Sequence, residues 1–190
     1  MVAIAYGADE STPKTDFAIG EKLLAYYLSL PRHIEGGVPL RSDINPVQIK
    51  EILPHLHLSE WQPPDRLIVR LRGTALDGQF QDPKEGDNML DVVHGDDHVG
   101  YCNALNKVFS LPCGVLLDRR IPDEFGGLAP FHMLALPLAD NEGRVRFMVG
   151  ASAIEGVPVW SFLQKAPFTV TDARLTEAHY IDIGFGVPVA

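Results

Sequence analysis

Three neighbouring segments, 113–121, 128–138 and 144–154, constrain the fold of this chain most strongly. Each has the pattern of a β-strand, and the third alternates between apolar and polar residues, as a strand with one buried face does. The turn 140–143 between the second and third is so short that these two strands must run antiparallel. Gly143 can supply the left-handed residue that such a hairpin turn needs. The second half of the chain therefore predicts an antiparallel meander.

Two earlier segments, 55–61 and 66–72, predict a second hairpin, joined by the proline-rich turn 63–65. In the first, Leu56 and Leu58 face one way, and the opposite face carries His55, His57 and Ser59. In the second, the predicted core-facing residues are Leu67, Val69 and Leu71, and the other face carries Arg66, Ile68, Arg70 and Arg72. These arginines have three interpretations. They form a solvated strand face, they make ion pairs, or they bind a carboxylate or phosphate ligand.

Two helices are predicted before the first hairpin. The segment 16–30 has apolar residues at helical spacing on more than one side and stops before Pro31. Since one domain surface does not easily cover two sides of a helix, the pattern predicts a homodimer with this helix at the interface. The second helix starts with Asn45 as N-cap and Pro46 in its first turn. Its predicted buried face consists of Val47, Ile49, Ile52 and Leu53.

Between the two groups of strands lie short helical turns over 73–93 and a longer helix over 98–111. The order of elements predicts an α+β fold, a five-stranded antiparallel sheet with a helical crossover on one face, plus the N-terminal helices. Residues 1–15 are predicted to be a flexible arm, 16–154 the domain with its helical extension, and 155–190 a C-terminal tail that packs on or near the domain.

The net charge of −9 argues against binding to nucleic acid or to an anionic membrane surface, because both would repel the chain. No apolar run approaches the roughly 20 residues that span a bilayer, and the first residues lack the pattern of a secretory signal. The two cysteines, Cys102 and Cys113, lack the spacing of a metal or redox motif and are expected to be buried free thiols. The sequence thus predicts a cytoplasmic protein.

Four stretches in the same order resemble one particular family: LAYYLSL (24–30), the run 39–56, the run 66–80 and the hairpin 133–151. They are similar to a bacterial family of stand-alone PAS-type domains, over roughly residues 23–154. The resemblance implies the PAS fold and a sensory or regulatory role, with signalling through ligand or protein binding and with a separate protein as signalling partner. The alternative is a small-molecule enzyme on a cone-shaped α+β fold.

The resemblance also implies where a ligand would sit, in the space between the sheet and the helical crossover. Such cavities are mostly apolar, so a possible ligand is small and apolar, and the sequence identifies no cofactor. The expected lining residues are Leu71, Phe80, Leu90, Tyr101, Cys102, Leu105, Phe109, Leu117, Met133 and Phe147. The alternative is that these side chains simply fill the core.

Two pairs of histidines have a spacing that could suit a metal or haem ligand. His94 and His98 have helical spacing, and His55 and His57 share a strand face that His132 could join from another strand. The aspartates next to His98 favour a helix start, and the paired histidines are typical of ordinary strand residues. No metal ligand is therefore predicted. Cys102 lacks the surroundings of a nucleophile, so no catalytic residue is predicted either.

Overall fold

One antiparallel sheet organises the molecule. The computed structural model describes residues 17–33, 37–76, 83–93, 95–122, 128–154 and 174–188. Its strands are β1 (Leu56–Gln62), β2 (Arg66–Arg72), β3 (Gly114–Pro122), β4 (Leu128–Ala139), β5 (Val145–Ile154) and β6 (Arg174–Ile181). They lie in the order β2-β1-β5-β4-β3-β6, and each neighbouring pair is antiparallel.

Helices cover both faces of this sheet. The helix α1 (Ala18–Ser29) lies on one face, and α2 (Gly95–Ser110) lies on the other. Short 3₁₀ turns at Thr74–Leu76 and Met89–Val92 belong to the crossover that leads from β2 to α2. Because alternate residues of each strand face opposite helices, the sheet contributes to two separate hydrophobic cores. The α+β fold with a helical crossover on one face is confirmed.

The five predicted strands are present, and β6 adds a sixth beside β3. The sequence predicted only a tail over 155–190 that packs on or near the domain. Polar residues such as Glu177 and His179 interrupt the apolar pattern in β6. An edge strand that is only half-buried needs little apolar patterning, so its signal in the sequence is weak.

The predicted helix that starts at Asn45 is a series of tight turns. Val47 N–H donates to Asn45 Oδ1 at 3.0 Å, so Asn45 does act as a cap. The backbone bonds that follow span mostly three residues, as from Ile49 N–H to the Pro46 carbonyl. Pro46 and Pro54 enclose too few residues for a regular α-helix to form. Val47, predicted to be buried, is 77% exposed.

The prediction that Leu71 faces the core is wrong because β2 contains a β-bulge. Leu58 is paired with Leu71, whereas its neighbour Ser59 is paired with Val69, so Arg70 is the extra residue. Beyond the bulge the alternation is inverted. Leu71 is therefore 49% exposed, and the side chain of the next residue, Arg72, turns toward the α2 face.

The helix α1 is part of the domain core. Leu23 and Tyr27 are fully buried, and the Tyr27 hydroxyl donates to the Pro137 carbonyl on β4 at 2.6 Å. The segment 38–53 and Ile183 cover a second side of the helix. Its apolar residues on two sides are thus largely covered within one chain, and the homodimer stays a prediction.

Replacing Leu23 with alanine should lower the free energy of unfolding by about 2–5 kcal/mol, because the cavity left behind cannot close fully. Leu28 lies on the same helix but is 39% exposed, so Leu28→Ala is the matched control and should cost less than about 1 kcal/mol. Urea denaturation of both variants measures the difference. Equal losses would contradict the placement of α1 in the core.

Candidate ligand-binding cavity

A cavity of about 70 Å³ lies between the α2 face of the sheet and the crossover. Strands β1 to β5, the 3₁₀ turns and α2 all contribute to its wall. The apolar lining residues are Leu67, Val69, Leu76, Pro83, Met89, Leu90, Val93, Phe131 and Met133. The polar lining residues are His57, Arg72, Tyr101, Arg119 and Ser152. A mostly apolar wall with a few polar groups is typical of small-molecule sites.

His57 enters this wall because the residue beside it is a glycine. On β5, Gly150 lies directly opposite His57. A Cβ atom at position 150 would come within 2.3 Å of the imidazole and 2.8 Å of the Leu134 carbonyl oxygen. Glycine inside a strand often marks such a close approach. Gly150 therefore leaves the space in which the His57 ring lies.

Both ring nitrogens of His57 lack a hydrogen-bond partner among the described residues, although the side chain is only 3% exposed. Burial, together with the positive charge of Arg72, lowers the pKa of His57 to about 4. The imidazole is thus neutral at neutral pH and offers one donor and one acceptor. Buried polar groups are nearly always hydrogen-bonded, so an orphaned imidazole at a cavity wall is a candidate ligand contact.

Arg119 and Tyr101 form a second polar part of the wall. Arg119 is only 4% exposed, and its guanidinium carbon lies 4.9 Å from the centre of the Tyr101 ring. This cation–π contact holds the guanidinium group at the cavity. Burial raises the pKa of Tyr101 to about 12, although the charge of Arg119 acts in the opposite direction. The phenol is therefore neutral at neutral pH.

Arg72 reaches the cavity from the other side. It is paired across the strands with His57, and it donates a hydrogen bond to the Leu76 carbonyl of the crossover. The bulge at Arg70 is what turns Arg72 toward the α2 face. Arg70 itself lies on the opposite face, where its Nε donates to Glu60 at 2.8 Å. The arginines of β2 thus divide between an ion pair and the cavity.

The cavity includes three of the residues expected to line it, Leu90, Tyr101 and Met133. Others of the set lie in the same core without reaching the cavity: Cys102, Leu105, Leu117 and Phe109, the last stacked on Trp61 with ring centres 5.9 Å apart. Phe147 lies on the α1 face, where Arg41 covers its ring. Leu71 is exposed, and Phe80 lies outside the described residues.

Sequence reasoning found Tyr101 but missed the other polar residues of the wall, His57, Arg72, Arg119 and Ser152. Arg119 could have been found, because it follows Leu117 by two residues and so shares its face of β3. Gly150, a glycine within a strand, was a signal for a close approach. Arg72 gave no such signal, since the strand pattern alone does not reveal the bulge.

The other histidines are not brought together with His57. His132 lies on the opposite face of the sheet, where its Nδ1 is 2.7 Å from Asp118 Oδ1 and where His179 also contacts Asp118. His98 is 3.7 Å from the Cys102 sulfur on α2, and His94 lies outside the described residues. Within the described ranges, no group of three possible metal-ligating side chains is found.

Both cysteines are buried and free. Burial raises the pKa of Cys102 and raises that of Cys113 to about 11. A thiol whose pKa is raised holds its proton at neutral pH, so neither has the character of an activated nucleophile.

An antiparallel sheet and a helical crossover that enclose a small cavity are the architecture of a PAS-type domain. The chain belongs to the PAS domain family, which matches residues 18–153. Among solved structures, it is similar to a sensory box histidine kinase/response regulator from Burkholderia thailandensis. The identity is 16%, 58% of this chain and 85% of that chain are covered, and the TM-score is 0.36. The curated proteins contain no match to the chain.

In the described part of the chain, no helix has both the length and the apolar character to cross a membrane.

Acid should destabilise the protein partly through His57. The ordinary histidine pKa of about 6.5 applies to the unfolded chain, and the folded value is about 4. Between these values the unfolded state binds the proton, so stability falls as the pH falls from about 6.5 to 4. Urea denaturation at pH 7 and pH 4.5 should show a loss about 2 kcal/mol smaller in His57→Gln than in the parent. The same loss in both proteins would contradict a buried, neutral His57.

Proposed function

We propose that this PAS domain binds a small molecule in the cavity behind the sheet and passes the change in occupancy to a partner protein without catalysis. The observation that carries the proposal is His57, a buried side chain at the cavity wall whose ring nitrogens find no partner among the described residues. A ligand that hydrogen-bonds to this ring would remove the cost of an unsatisfied buried group, which is about 1–3 kcal/mol.

The crossover connects the cavity to the surface of the molecule. Asn88 Oδ1 accepts from the Leu67 and Leu90 amides at 2.8 and 3.2 Å, and residues 86–87 exchange backbone hydrogen bonds with Val69. Leu67, Val69 and Leu90 also line the cavity. A ligand that moves these side chains would therefore shift the crossover relative to β2. We assign the output to this movement, because ligand affinity that differs between two arrangements is what shifts their populations.

A small-molecule enzyme is the second candidate. Enzymatic chemistry would need a nucleophile or an acid–base pair that faces the cavity. Among the described lining residues, the side chains that are charged at neutral pH are two arginines, Arg72 and Arg119, and the neutral ones include His57 and Tyr101. This set supplies hydrogen bonds and positive charge, which suits binding better than acid–base catalysis.

The cellular setting and the assembly are part of the same proposal. Two buried free thiols suit a reducing compartment, and we place the protein in the cytoplasm. We also propose a homodimer, which the exposed side of α1 around Leu28 would help to form.

A cavity-filling substitution tests the proposal. Val69→Phe adds a larger side chain at the cavity wall and should change the free energy of unfolding by less than about 1 kcal/mol. Val115→Phe is the matched control, because Val115 is fully buried in the same core but does not line the cavity. This control should lose about 1–3 kcal/mol.

Native mass spectrometry of freshly purified protein adds the second measurement. The parent should carry a small bound mass that Val69→Phe lacks and Val115→Phe keeps. Equal destabilisation by the two substitutions, with no bound mass in any of the proteins, would show that the space is filled and would overturn the proposal.

A further inference from the structure

His57 indicates the chemical class of the ligand that the cavity binds. We propose that the cavity binds a neutral hydroxyl compound, a short-chain alcohol of about three or four non-hydrogen atoms. Its hydroxyl group pairs with the His57 imidazole, and its alkyl part lies against the apolar wall. This inference rests on the proposed function and makes it specific.

The hydrogen-bonding state of His57 is the first argument. Its side chain is only 3% exposed and belongs to the cavity wall, and neither ring nitrogen has a partner in the described part of the chain. The imidazole is neutral at pH 7, because burial and the charge of Arg72 lower its pKa to about 4. It therefore has one N–H donor and one acceptor nitrogen. A hydroxyl group both donates and accepts, so it can pair with either nitrogen, whereas a carbonyl group can pair only with the N–H.

The state of the two arginines at the wall is the second argument. Arg72 donates a hydrogen bond to the Leu76 carbonyl, and the guanidinium carbon of Arg119 lies 4.9 Å from the centre of the Tyr101 ring. Both side chains are thus engaged within the protein, and neither is needed to hold the ligand. An ionised ligand would need a charge partner at the cavity to offset the loss of its hydration. A neutral hydroxyl group needs only a hydrogen bond, which His57 supplies.

Size and apolar surface are the third argument. An apolar cavity of about 150 Å³ holds one benzene molecule, with its six carbon atoms. The cavity in this domain is about 70 Å³, roughly half as large, so it suits about three or four non-hydrogen atoms. Val69 and Leu90 line the space and would cover an alkyl chain. A buried water molecule typically makes about three hydrogen bonds, and these two side chains offer none. An alcohol therefore fits the wall better than water does.

NMR spectroscopy of the ¹⁵N-labelled full chain at pH 7 observes the ring nitrogens of His57 directly. Titration with n-propanol should shift these signals, because the ring gains a hydrogen bond from the ligand. The titration has to reach millimolar concentrations, since a ligand of four non-hydrogen atoms has a dissociation constant of at least about 40 µM. Signals of His57 that stay unchanged would overturn the inference and would leave water as the occupant of the cavity.

A thermodynamic cycle isolates the hydrogen bond to His57. The second ligand is n-propyl chloride, which has nearly the same shape as n-propanol but no hydroxyl group. Backbone amide shifts give the dissociation constant of each ligand in the parent and in His57→Leu. The ratio of the n-propyl chloride constant to the n-propanol constant should be about fivefold lower in His57→Leu, as the loss of one hydrogen bond predicts.

His55→Leu is the matched control for this cycle. His55 lies two residues before His57 and does not line the cavity, so the ratio should not change in this variant. An unchanged ratio in His57→Leu would contradict the assignment of the hydroxyl group to His57. If His57→Leu fails to fold, the ring-nitrogen signals of the parent still decide the question.

Charged probes of the same length test whether the ligand is neutral. Sodium propionate and n-propylammonium chloride, at matched ionic strength and pH 7, should each bind at least about tenfold more weakly than n-propanol, because each would bury a charge. Binding of either ion that is as tight as that of n-propanol, or tighter, would overturn the neutral class.

The two proposals can fail separately. If Val69→Phe is tolerated and a bound mass is present but n-propanol does not bind, the alcohol is wrong and the cavity remains a ligand site. If Val69→Phe and Val115→Phe destabilise equally and n-propanol does not bind, both proposals are wrong. Binding of n-propanol to the parent and not to Val69→Phe would support both.

Discussion

Burial of the central sheet on both faces is the constraint on which the rest of this structure depends. Strands β4 and β5 are covered by α2 and the crossover on one side and by α1 on the other. Leu136 and Met148 are fully buried on opposite faces. A sheet of this kind is not stable with only one layer of helix, because apolar side chains would remain in water on the other face. The N-terminal helix is thus as necessary to the domain as the crossover.

The sequence predicted the strands well, since alternation and tight turns are local signals. Long-range effects account for the rest. The bulge at Arg70 depends on how β1 and β2 pair, and a shift of one residue exchanges the faces of Leu71 and Arg72. Two prolines and a short span turn the predicted helix after Asn45 into single turns. The orphaned state of His57 depends on which groups surround it in space, and the sequence does not contain that information.

Three packing features place the polar side chains at the cavity wall. Gly150 makes room for an imidazole, a bulge rotates Arg72, and Tyr101 holds the guanidinium group of Arg119. None of these residues forms a motif, and they come from different strands and from α2. The tertiary fold is what unites them, so a domain of this architecture can change its ligand class through a few substitutions while its sheet stays intact.

The backbone bonds between β2 and residues 86–88 have a consequence for solubility. An edge strand with free amides and carbonyls is a template for intermolecular strand addition and aggregation. Here the Val69 amide donates to the Asp87 carbonyl and the Val69 carbonyl accepts from the Gly86 amide, both at 2.9 Å. The side chain of Asn88 accepts a hydrogen bond from the Leu67 amide. The part of β2 that carries these residues is already satisfied within the chain. A second copy would have to break these bonds before it could extend the sheet there.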